Sequence, residues 1–419
     1  MTPFRLLVVG CSALSTGELT IVLDWAGRCE RALELQLLLP APLAPGFAWA
    51  GRVRTYTPRG GEGAVREMVT ALCEARPDLV VIADLLLFHS APYELGAPLD
   101  GFLHEALAGG PVAALDLYDW DRRGRALECY GARRFAGVSP LPAPLLRLLP
   151  TPYLASAAST PGHGRYAMMQ DAGPRSDAER AATRRDLGLD GGKVVLALTS
   201  PWQHVAQFLA GAEGVTRFFP ALMLRLLDLS AQQVGGAVTL VHVGPAAINV
   251  PDDVRSLRYR HVAQMPPSEF KRLLGAADLL LSPNCIASSV LRAASRRVPC
   301  AALWASADVG EPPPRPARTA PQRALAAYLD RACPAYGFLV WPLGLRQALG
   351  EILTDNPYRD VQAYFDILDA DTAVDGLAAA LTDPSVRDRI GGGQQRYFDV
   401  LRTMDSPEEA LRQMLDGRS

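Results

Sequence analysis

The stretch Phe270-Lys-Arg-Leu-Leu-Gly-Ala-Ala-Asp-Leu-Leu-Leu-Ser282 decides the fold of this 419-residue chain. Its apolar residues first recur with helical spacing and then form the continuous run Leu279–Leu281. Such a run, bounded by polar residues, is typical of a strand buried on both faces of a parallel sheet. The stretch therefore predicts a helix over 268–274 and a strand over 278–282.

The same alternation continues on both sides of this stretch. The apolar runs predict further strands over 5–10, 33–39, 79–83, 111–116, 194–199, 238–244 and 298–303. The segments between them predict helices over 19–31, 63–74, 99–107, 218–229 and 287–295. Strands and helices that alternate at this spacing indicate doubly wound α/β domains, and the series is long enough for two of them.

Prolines and glycines interrupt the alternation over residues 136–180, which we interpret as the crossing between the domains. Length favours two or three domains. The predicted organisation is an N-terminal Rossmann-like domain over 1–150, a linker over 151–180, a C-terminal Rossmann-like domain over 181–395 and a last helix within 396–419. The tail from about 322 has mostly helical spacing, and Gly391-Gly-Gly393 within it is interpreted as a helix C-cap and turn.

Charge and composition exclude two classes of function. The 42 basic and 44 acidic residues leave a net charge of −2, which argues against nucleic-acid or anionic-membrane binding. No apolar run reaches the roughly 18–20 residues that would span a bilayer, and no signal peptide precedes the first strand. We therefore expect a cytoplasmic protein. All basic residues except Lys193 and Lys271 are arginine, a bias typical of a GC-rich bacterial genome.

The cysteines and histidines predict no metal or redox site. The seven cysteines form no Cys-x-x-Cys pair, so we interpret them as separate thiols in a reducing compartment. The six histidines lack the i, i+4 and His-x-His spacings of metal ligands. No GxGxxG, Walker A, GxSxG or HExxH sequence is present, and we expect no bound cofactor.

The chain resembles the B-type (GT-B) glycosyltransferases. Residues 270–299 are similar to the family's donor-binding unit, which consists of a helix, Ala-Ala-Asp, a strand, a turn, a second helix and a Val-Pro pair. Leu6–Gly10, followed by Thr16-Gly17-Glu18, is similar to the opening strand and acceptor-side loop. The resemblance implies two Rossmann-like domains that face a cleft, with a final helix that returns to the first domain.

Three positions depart from the family's donor-binding pattern. The turn Asn284–Ser289 has no glycine, although Asn284, Ser288 and Ser289 could still bind a ligand or, alternatively, cap a helix. Arg292 stands where the family often has a ribose-binding Glu. A guanidinium only donates hydrogen bonds, so it would suit a carboxylate or phosphate. Arg297 replaces the usual glycine before Val-Pro.

The resemblance also implies ligand contacts at three loops. In the first loop these are Ser15 and Thr16, with Glu18 as a candidate base or as a helix-start charge. After the strand 111–116, Asp119 is a second candidate base, and Tyr118 and Trp120 are candidate ligand contacts unless this is only an Asp-capped loop. At the end of the strand 194–199 the candidates are Trp202, Gln203 and His204, although Trp202 could also pack between the domains.

Two functions remain open from these residues. The altered donor motif favours a catalytically degenerate protein that binds a peptide or small biosynthetic intermediate in the cleft, within a bacterial natural-product pathway. The alternative is an active glycosyltransferase that moves a sugar from a nucleotide sugar to a natural-product acceptor. A homodimer is left open by the sequence.

Overall fold

A computed structural model describes residues 3–13, 16–117, 127–129, 133–135, 146–151, 162–199, 213–263, 265–282, 287–304, 356–366 and 369–416. These residues form two parallel sheets, and a small antiparallel pair of strands accompanies the first. Within the described part of the chain, no helix is long and apolar enough to cross a membrane.

The first sheet has seven strands in the order β3-β2-β1-β4-β5-β8-β9, with every neighbouring pair parallel. Its strands, with the antiparallel pair β6 and β7, are β1 Phe4–Val9, β2 Leu33–Pro40, β3 Arg52–Tyr56, β4 Leu79–Ile82, β5 Val112–Leu115, β6 Leu127–Cys129, β7 Arg133–Phe135, β8 Leu146–Thr151 and β9 His163–Ala167. The helices of this part are α1 Gly17–Gly27, α2 Ala44–Phe47, α3 Glu62–Ala75, α4 Leu85–Leu95 and α5 Asp100–Gly109. The central strands β4 and β5 are buried along their whole length, as their apolar runs predict.

The second sheet has six strands in the order β12-β11-β10-β13-β14-β15, again all parallel. Its strands are β10 Lys193–Leu198, β11 Val238–Val243, β12 Leu257–Val262, β13 Leu279–Ser282, β14 Cys300–Trp304 and β15 Ala363–Asp366. The remaining helices are α6 Asp177–Leu187, α7 Glu213–Val234, α8 Pro267–Ala276, α9 Ser288–Ala294, α10 Ala370–Thr382, α11 Pro384–Leu401 and α12 Pro407–Asp416. Both sheets reverse their strand order beside the first strand of each series, which confirms the predicted fold of two Rossmann-like domains.

Each of the two sheets contains an aspartate that accepts a hydrogen bond from a backbone N–H, and the two aspartates occupy corresponding positions. In the first, Asp78 precedes β4 and its carboxylate accepts a hydrogen bond from the backbone N–H of Arg5 at 2.8 Å. In the second, Asp278 precedes β13 and accepts from the backbone N–H of Val194 at 2.7 Å. Each carboxylate also binds arginine, Arg5 at Asp78 and Arg184 at Asp278. In each domain, an aspartate therefore connects the first strand along the chain with the fourth.

The last helix, α12, packs on the first domain. The indole N–H of Trp25 in α1 donates to the carbonyl of Pro407 at 3.1 Å, and Arg31 pairs with Glu408. Gly164 in β9 lies so close to α12 that an added Cβ would stand 2.3 Å from the carbonyl oxygen of Ala410. Any larger residue at this position would push α12 away from β9.

The segment 136–180 is more regular than its prolines predict. Strands β8 and β9 lie within it, and both extend the first sheet beyond β5. Pro150 is the next-to-last residue of β8, and β9 alternates between half-buried and buried residues. These short strands have no long apolar run, so the sequence pattern did not predict them and the prolines indicated a crossing segment instead.

Several other elements differ from the predicted ones. Strands β3 and β12 were not predicted because they are edge strands rich in arginine, with little of the apolar run that marks a buried strand. The structure also adds α4 and β15 to the predicted elements. The interpretation of Gly391–Gly393 as a C-cap and turn is wrong, because all three residues lie inside α11. A Cβ at Gly393 would stand 1.9 Å from the carbonyl oxygen of Asp360, so the glycine permits close packing.

Candidate functional site

The two domains meet beside the carboxyl ends of one strand in each sheet. Helix α1 follows β1, helix α9 follows β13, and these two helices are in contact. In α/β sheets, ligands bind beyond the carboxyl ends of the strands, where the strand order reverses. The candidate site is therefore the space between the loops that follow β1, β4 and β5 in one domain and β10, β11 and β13 in the other.

The loop after β1 is held by a carboxylate that sequence reasoning missed. Glu94 in α4 accepts a hydrogen bond from the hydroxyl of Ser12 at 2.6 Å and one from the backbone N–H of Ala13 at 3.3 Å. The hydroxyl of Tyr56 donates to the carbonyl of Gly10 at 2.9 Å and fixes the start of the same loop. Both contacts come from segments distant in sequence, so no local motif could have identified them.

Ionisation at this loop is set by burial. Burial raises the pKa of Glu94 above its ordinary value of 4.5, although the hydrogen bonds from Ser12 and Ala13 and the charge of Arg59 act in the opposite direction. Burial also raises the pKa of the Cys11 thiol, as do the nearby carboxylates of Asp84 and Glu94. Cys11 is therefore a neutral, buried thiol, whereas Glu94 is a carboxyl group whose proton is held more tightly than in water.

The predicted acceptor-side residues begin α1. Thr16 is the buried N-cap residue of this helix, but its side chain makes no capping hydrogen bond. Glu18 lies in the first turn and is half-buried, so its charge faces the positive end of the helix dipole. This placement agrees with the helix-start interpretation of Glu18 and leaves its role as a base untested.

A chain of polar side chains lies at the carboxyl ends of β10 and β11. The Thr199 hydroxyl is 2.7 Å from Nε2 of the fully buried His242, and Nδ1 of His242 is 2.9 Å from the hydroxyl of Tyr259. That Tyr259 oxygen also accepts from the backbone N–H of Ile248 at 2.8 Å. Gly244 leaves room for the chain, because a Cβ there would stand 2.4 Å from Thr199 Oγ1.

Helix α9 presents three of the predicted ligand residues. Ser288 and Ser289 are its first two residues and are half-buried, and the N-cap is Ala287, so neither serine caps the helix. The guanidinium of Arg292 lies 3.8 Å from the carboxylate of Asp24 in α1. Burial lowers the pKa of Arg292, the charge of Asp24 opposes that shift, and Arg28 adds to it. Arg292 therefore joins the two domains across the candidate site.

The arginine at the usual glycine position also has a structural partner. Arg297 has a φ of +56°, in the left-handed region that favours glycine. Its guanidinium binds the carboxylate of Asp171 through two hydrogen bonds of 2.9 Å and lies 5.2 Å from the centre of the Phe398 ring. Asp171 belongs to the segment between the domains, so Arg297 fastens this segment to the second domain.

Thr16 and Glu18 lie just after β1, and Ser288, Ser289 and Arg292 lie after β13, where Arg292 reaches Asp24 of the first domain. The other predicted site residues lie outside the described residues, and their placement stays a prediction: Ser15, Tyr118, Asp119, Trp120, Trp202, Gln203, His204 and Asn284. Within the described residues, no group of three or more His, Cys, Asp or Glu side chains could hold a metal ion.

Comparisons with solved structures return glycosyltransferases at low sequence identity. The calicheamicin glycosyltransferase CalG4 is 14% identical, with 99% of this chain and 98% of that chain covered and a TM-score of 0.47. The glycosyltransferase VinC, solved with dTDP, is 12% identical, with 99% of both chains covered and a TM-score of 0.48. SnogD from Streptomyces nogalater is 13% identical, with 99% of both chains covered and a TM-score of 0.46.

No curated protein matches the sequence. The family comparison covers nearly the whole chain, because residues 38–418 match a single family. The matched range begins in β2 and ends after α12, so it includes most of the first domain and all of the second. The chain therefore belongs to the family described as a family of unknown function, DUF6365.

Proposed function

We propose that this protein binds a peptide or a small biosynthetic intermediate between its two domains, in a bacterial natural-product pathway, and transfers no sugar. The observation that carries the proposal is the contact between Arg292 and Asp24. We further propose that no cofactor takes part, that the protein binds neither nucleic acid nor membrane, and that it is cytoplasmic. The free thiols of the described cysteines support a reducing location.

A carboxylate accepts hydrogen bonds from both hydroxyls of a ribose, whereas a guanidinium has only donors. Arg292 occupies the position at which the family resemblance places the carboxylate, and its charge is directed at Asp24 of the other domain. A nucleotide that entered there would lose its usual acceptor and would compete with an ion pair between the domains.

The turn Asn284–Ser289, which lacks the glycines of the family's donor-binding pattern, supports the same conclusion. Glycines allow the backbone N–H groups of a turn to approach a diphosphate closely, and Asn284–Ser289 contains none. Ser288 and Ser289 keep donor hydroxyl groups at the start of α9, which suit a neutral or carboxylate-bearing ligand. The aromatic residues predicted for the cleft, Trp120 and Trp202, would add stacking surfaces for a peptide side chain.

Two binding measurements test the proposal on the full chain. In a thermal-shift assay, UDP, GDP and dTDP at millimolar concentration should leave the melting temperature unchanged. A ligand at about 100 times its Kd would stabilise the folded protein by about 2.7 kcal/mol, so binding would be visible. Calorimetry with the precursor peptides encoded near the gene should then detect binding that Arg292→Glu weakens.

The proposal fails if a nucleotide stabilises the protein or if none of those peptides and intermediates binds. Asp186→Asn, which removes an exposed partner of Arg272 far from the cleft, is the matched control and should bind like the unmodified protein.

An active glycosyltransferase is the second candidate, and Glu94 is the observation that favours it. A carboxyl group with a raised pKa, hydrogen-bonded to the loop after β1, is suited to accept a proton from an acceptor hydroxyl. This function would require a nucleotide sugar as donor. If UDP- or dTDP-sugar is hydrolysed or transferred by the protein and Glu94→Gln abolishes that turnover, the enzyme replaces the binding protein as the correct function.

A further inference from the structure

A groove runs along the outer side of the first domain, between strand β3 and helix α3. It consists of two adjoining depressions of about 690 and 540 Å³, which share Arg54, Thr70 and Glu74 in their walls. All of its lining residues belong to β3 and α3 or directly follow α3. The groove therefore lies beside a single strand and a single helix, away from the loops that form the candidate site.

Strand β3 is the edge of the seven-stranded sheet, and no other strand pairs with its outer side among the described residues. An edge strand in a parallel sheet bonds to its neighbour through alternate residues, so the intervening N–H and C=O groups point outward. The opposite edge differs, because α12 packs directly on β9. The β3 edge thus offers hydrogen-bonding backbone groups beside an open groove.

The acidic residues in this groove are already bound within the domain. Glu74 pairs with Arg54, which also donates to the side-chain oxygen of Gln36 at 3.3 Å. Glu67 accepts from the backbone N–H of Thr57 at 2.6 Å and from its hydroxyl. Arg54 balances the charge of Glu74, and four arginines against two glutamates leave the lining of the groove with an excess of positive charge.

Three arginines remain available to a partner. Arg52 and Arg76 are exposed, and neither makes an ion pair or a side-chain hydrogen bond with a described residue. Arg66 has one contact of 3.7 Å with Glu62, and both side chains are at least three-quarters exposed. An ion pair of this kind contributes little to stability, so Arg66 can exchange its partner at almost no cost.

We propose that this groove binds an acidic peptide segment as an extended strand alongside β3. Backbone hydrogen bonds to the open edge would supply affinity, and carboxylates on every second residue, about 7 Å apart, would reach the guanidinium groups. A second copy of this chain is a poor occupant, because pairing of two β3 strands would bring their arginines together. This surface lies outside the interdomain site, and the inference does not depend on the proposed function.

Fluorescence anisotropy with the full chain tests the proposal directly. The probe is a fluorescein-labelled octapeptide of alternating Val and Glu, and the same peptide with Lys in place of Glu is the charge control. We expect the Glu peptide to bind at about 50 mM salt, to lose affinity at about 500 mM salt, and to bind at least about tenfold more weakly to Arg52→Glu/Arg76→Glu. The Lys peptide should not bind.

Matched variants separate the groove from a general effect of charge. Arg258→Glu changes an exposed arginine on β12, the edge strand of the other sheet, and should bind the Glu peptide unchanged. Arg52→Gln/Arg76→Gln provides a milder test if the Glu variant fails to fold. Equal affinity of the unmodified protein and both groove variants, or equal binding of the Lys peptide, would overturn the proposal.

Strand addition itself has a separate test. Two versions of the Glu peptide are N-methylated on its odd or on its even residues, so that each removes the donors along one edge of the strand. The version methylated on the edge that faces β3 should lose binding. If both bind like the parent peptide, the groove attracts charge alone and the extended-strand proposal is wrong.

Discussion

The guanidinium of Arg292 lies 3.8 Å from the carboxylate of Asp24, and the two residues belong to different domains. Asp24 is shared, because Nε of Arg28 lies 3.0 Å from its other oxygen. Arg28 in turn donates to the carbonyls of Ala167 and Met168, where the chain leaves the first sheet. The Asp24 carboxylate of the first domain is thereby linked to the crossing segment through Arg28 and to the second domain through Arg292.

This arrangement predicts measurable coupling between Asp24 and Arg292. In a double-mutant cycle with Asp24→Asn and Arg292→Gln, the interaction energy should be about 1 kcal/mol, because both side chains are largely shielded from solvent and their charged groups lie 3.8 Å apart. Urea denaturation of the four proteins measures it. The exposed pair Asp186–Arg272 is the matched control and should give a coupling near zero. Equal coupling energies in the two cycles would show that the interdomain pair interacts no more strongly than an exposed ion pair.

The aspartates before β4 and β13 should contribute unequally to the free energy of unfolding. Asp278 is buried and binds Arg180, Arg184 and a backbone N–H, so Asp278→Ala should lower the free energy of unfolding by about 3–5 kcal/mol. Among the described residues, Asp78 binds only the backbone N–H and the guanidinium of Arg5, with a side chain that is 37% exposed, so Asp78→Ala should cost clearly less. Chemical denaturation of both variants gives the comparison.

Asp278→Asn separates charge from hydrogen bonding in that prediction. The amide oxygen can still accept from the N–H of Val194, but the two arginines lose their counter-charge. An intermediate loss of stability is expected. If Asp78→Ala destabilises the protein as much as Asp278→Ala, burial is not what distinguishes the two sites.

The sequence predicts the parts of the fold that are buried on both sides. Strand β13 and the helices on either side of it follow from an apolar run and helical spacing, and the structure confirms their bounds within two residues. Strand β3, in contrast, reads Arg-Val-Arg-Thr-Tyr, because an edge strand needs few apolar residues. Its membership in the sheet depends on pairing with β2, which no local pattern encodes.

The candidate site was predictable only where a family motif covers it. Arg292 stood out because it replaces an expected carboxylate, but its partner Asp24 is 268 positions away and belongs to no motif. Glu94 was missed for a similar reason, since α4 contains Pro92 and was not predicted as a helix. Contacts between distant segments are set by how the two sheets pack, and a single sequence does not state them.

Two arginines with positive φ predict opposite effects of the same substitution. Arg297→Gly should relieve about 1 kcal/mol of backbone strain but lose the buried contacts with Asp171 and Phe398, so the variant should be less stable. Arg76 ends α3 in the left-handed conformation, at the position where glycine is most favoured. Arg76→Gly should therefore raise stability by about 0.4–1 kcal/mol.

Thermal denaturation of both glycine variants measures this difference. If Arg297→Gly also gains stability, the ion pair with Asp171 contributes less than the strain of the left-handed backbone, and the crossing segment is not fastened by Arg297.

The raised pKa of Glu94 predicts that this residue destabilises the folded protein as pH rises. The folded state holds the Glu94 proton more tightly than the unfolded state, so the contribution of Glu94 to stability should fall from about pH 4.5 upward, through the raised folded pKa. Glu94→Gln cannot titrate. The variant should therefore gain stability relative to wild type as pH increases from about 4 to about 7, in urea denaturation at each pH.

Glu408 provides a control of opposite sign. The hydrogen bond from Arg31 holds the pKa of Glu408 below its ordinary value of 4.5, and this outweighs burial. Its contribution to stability is present above that ordinary value and is lost as pH falls through the lowered folded pKa. Glu408→Gln should therefore lose stability relative to wild type as pH rises toward about 4.5, whereas Glu94→Gln gains it as pH rises above that value. Parallel curves for the two variants would mean that burial does not control Glu94 and would remove the reason to consider it as a base.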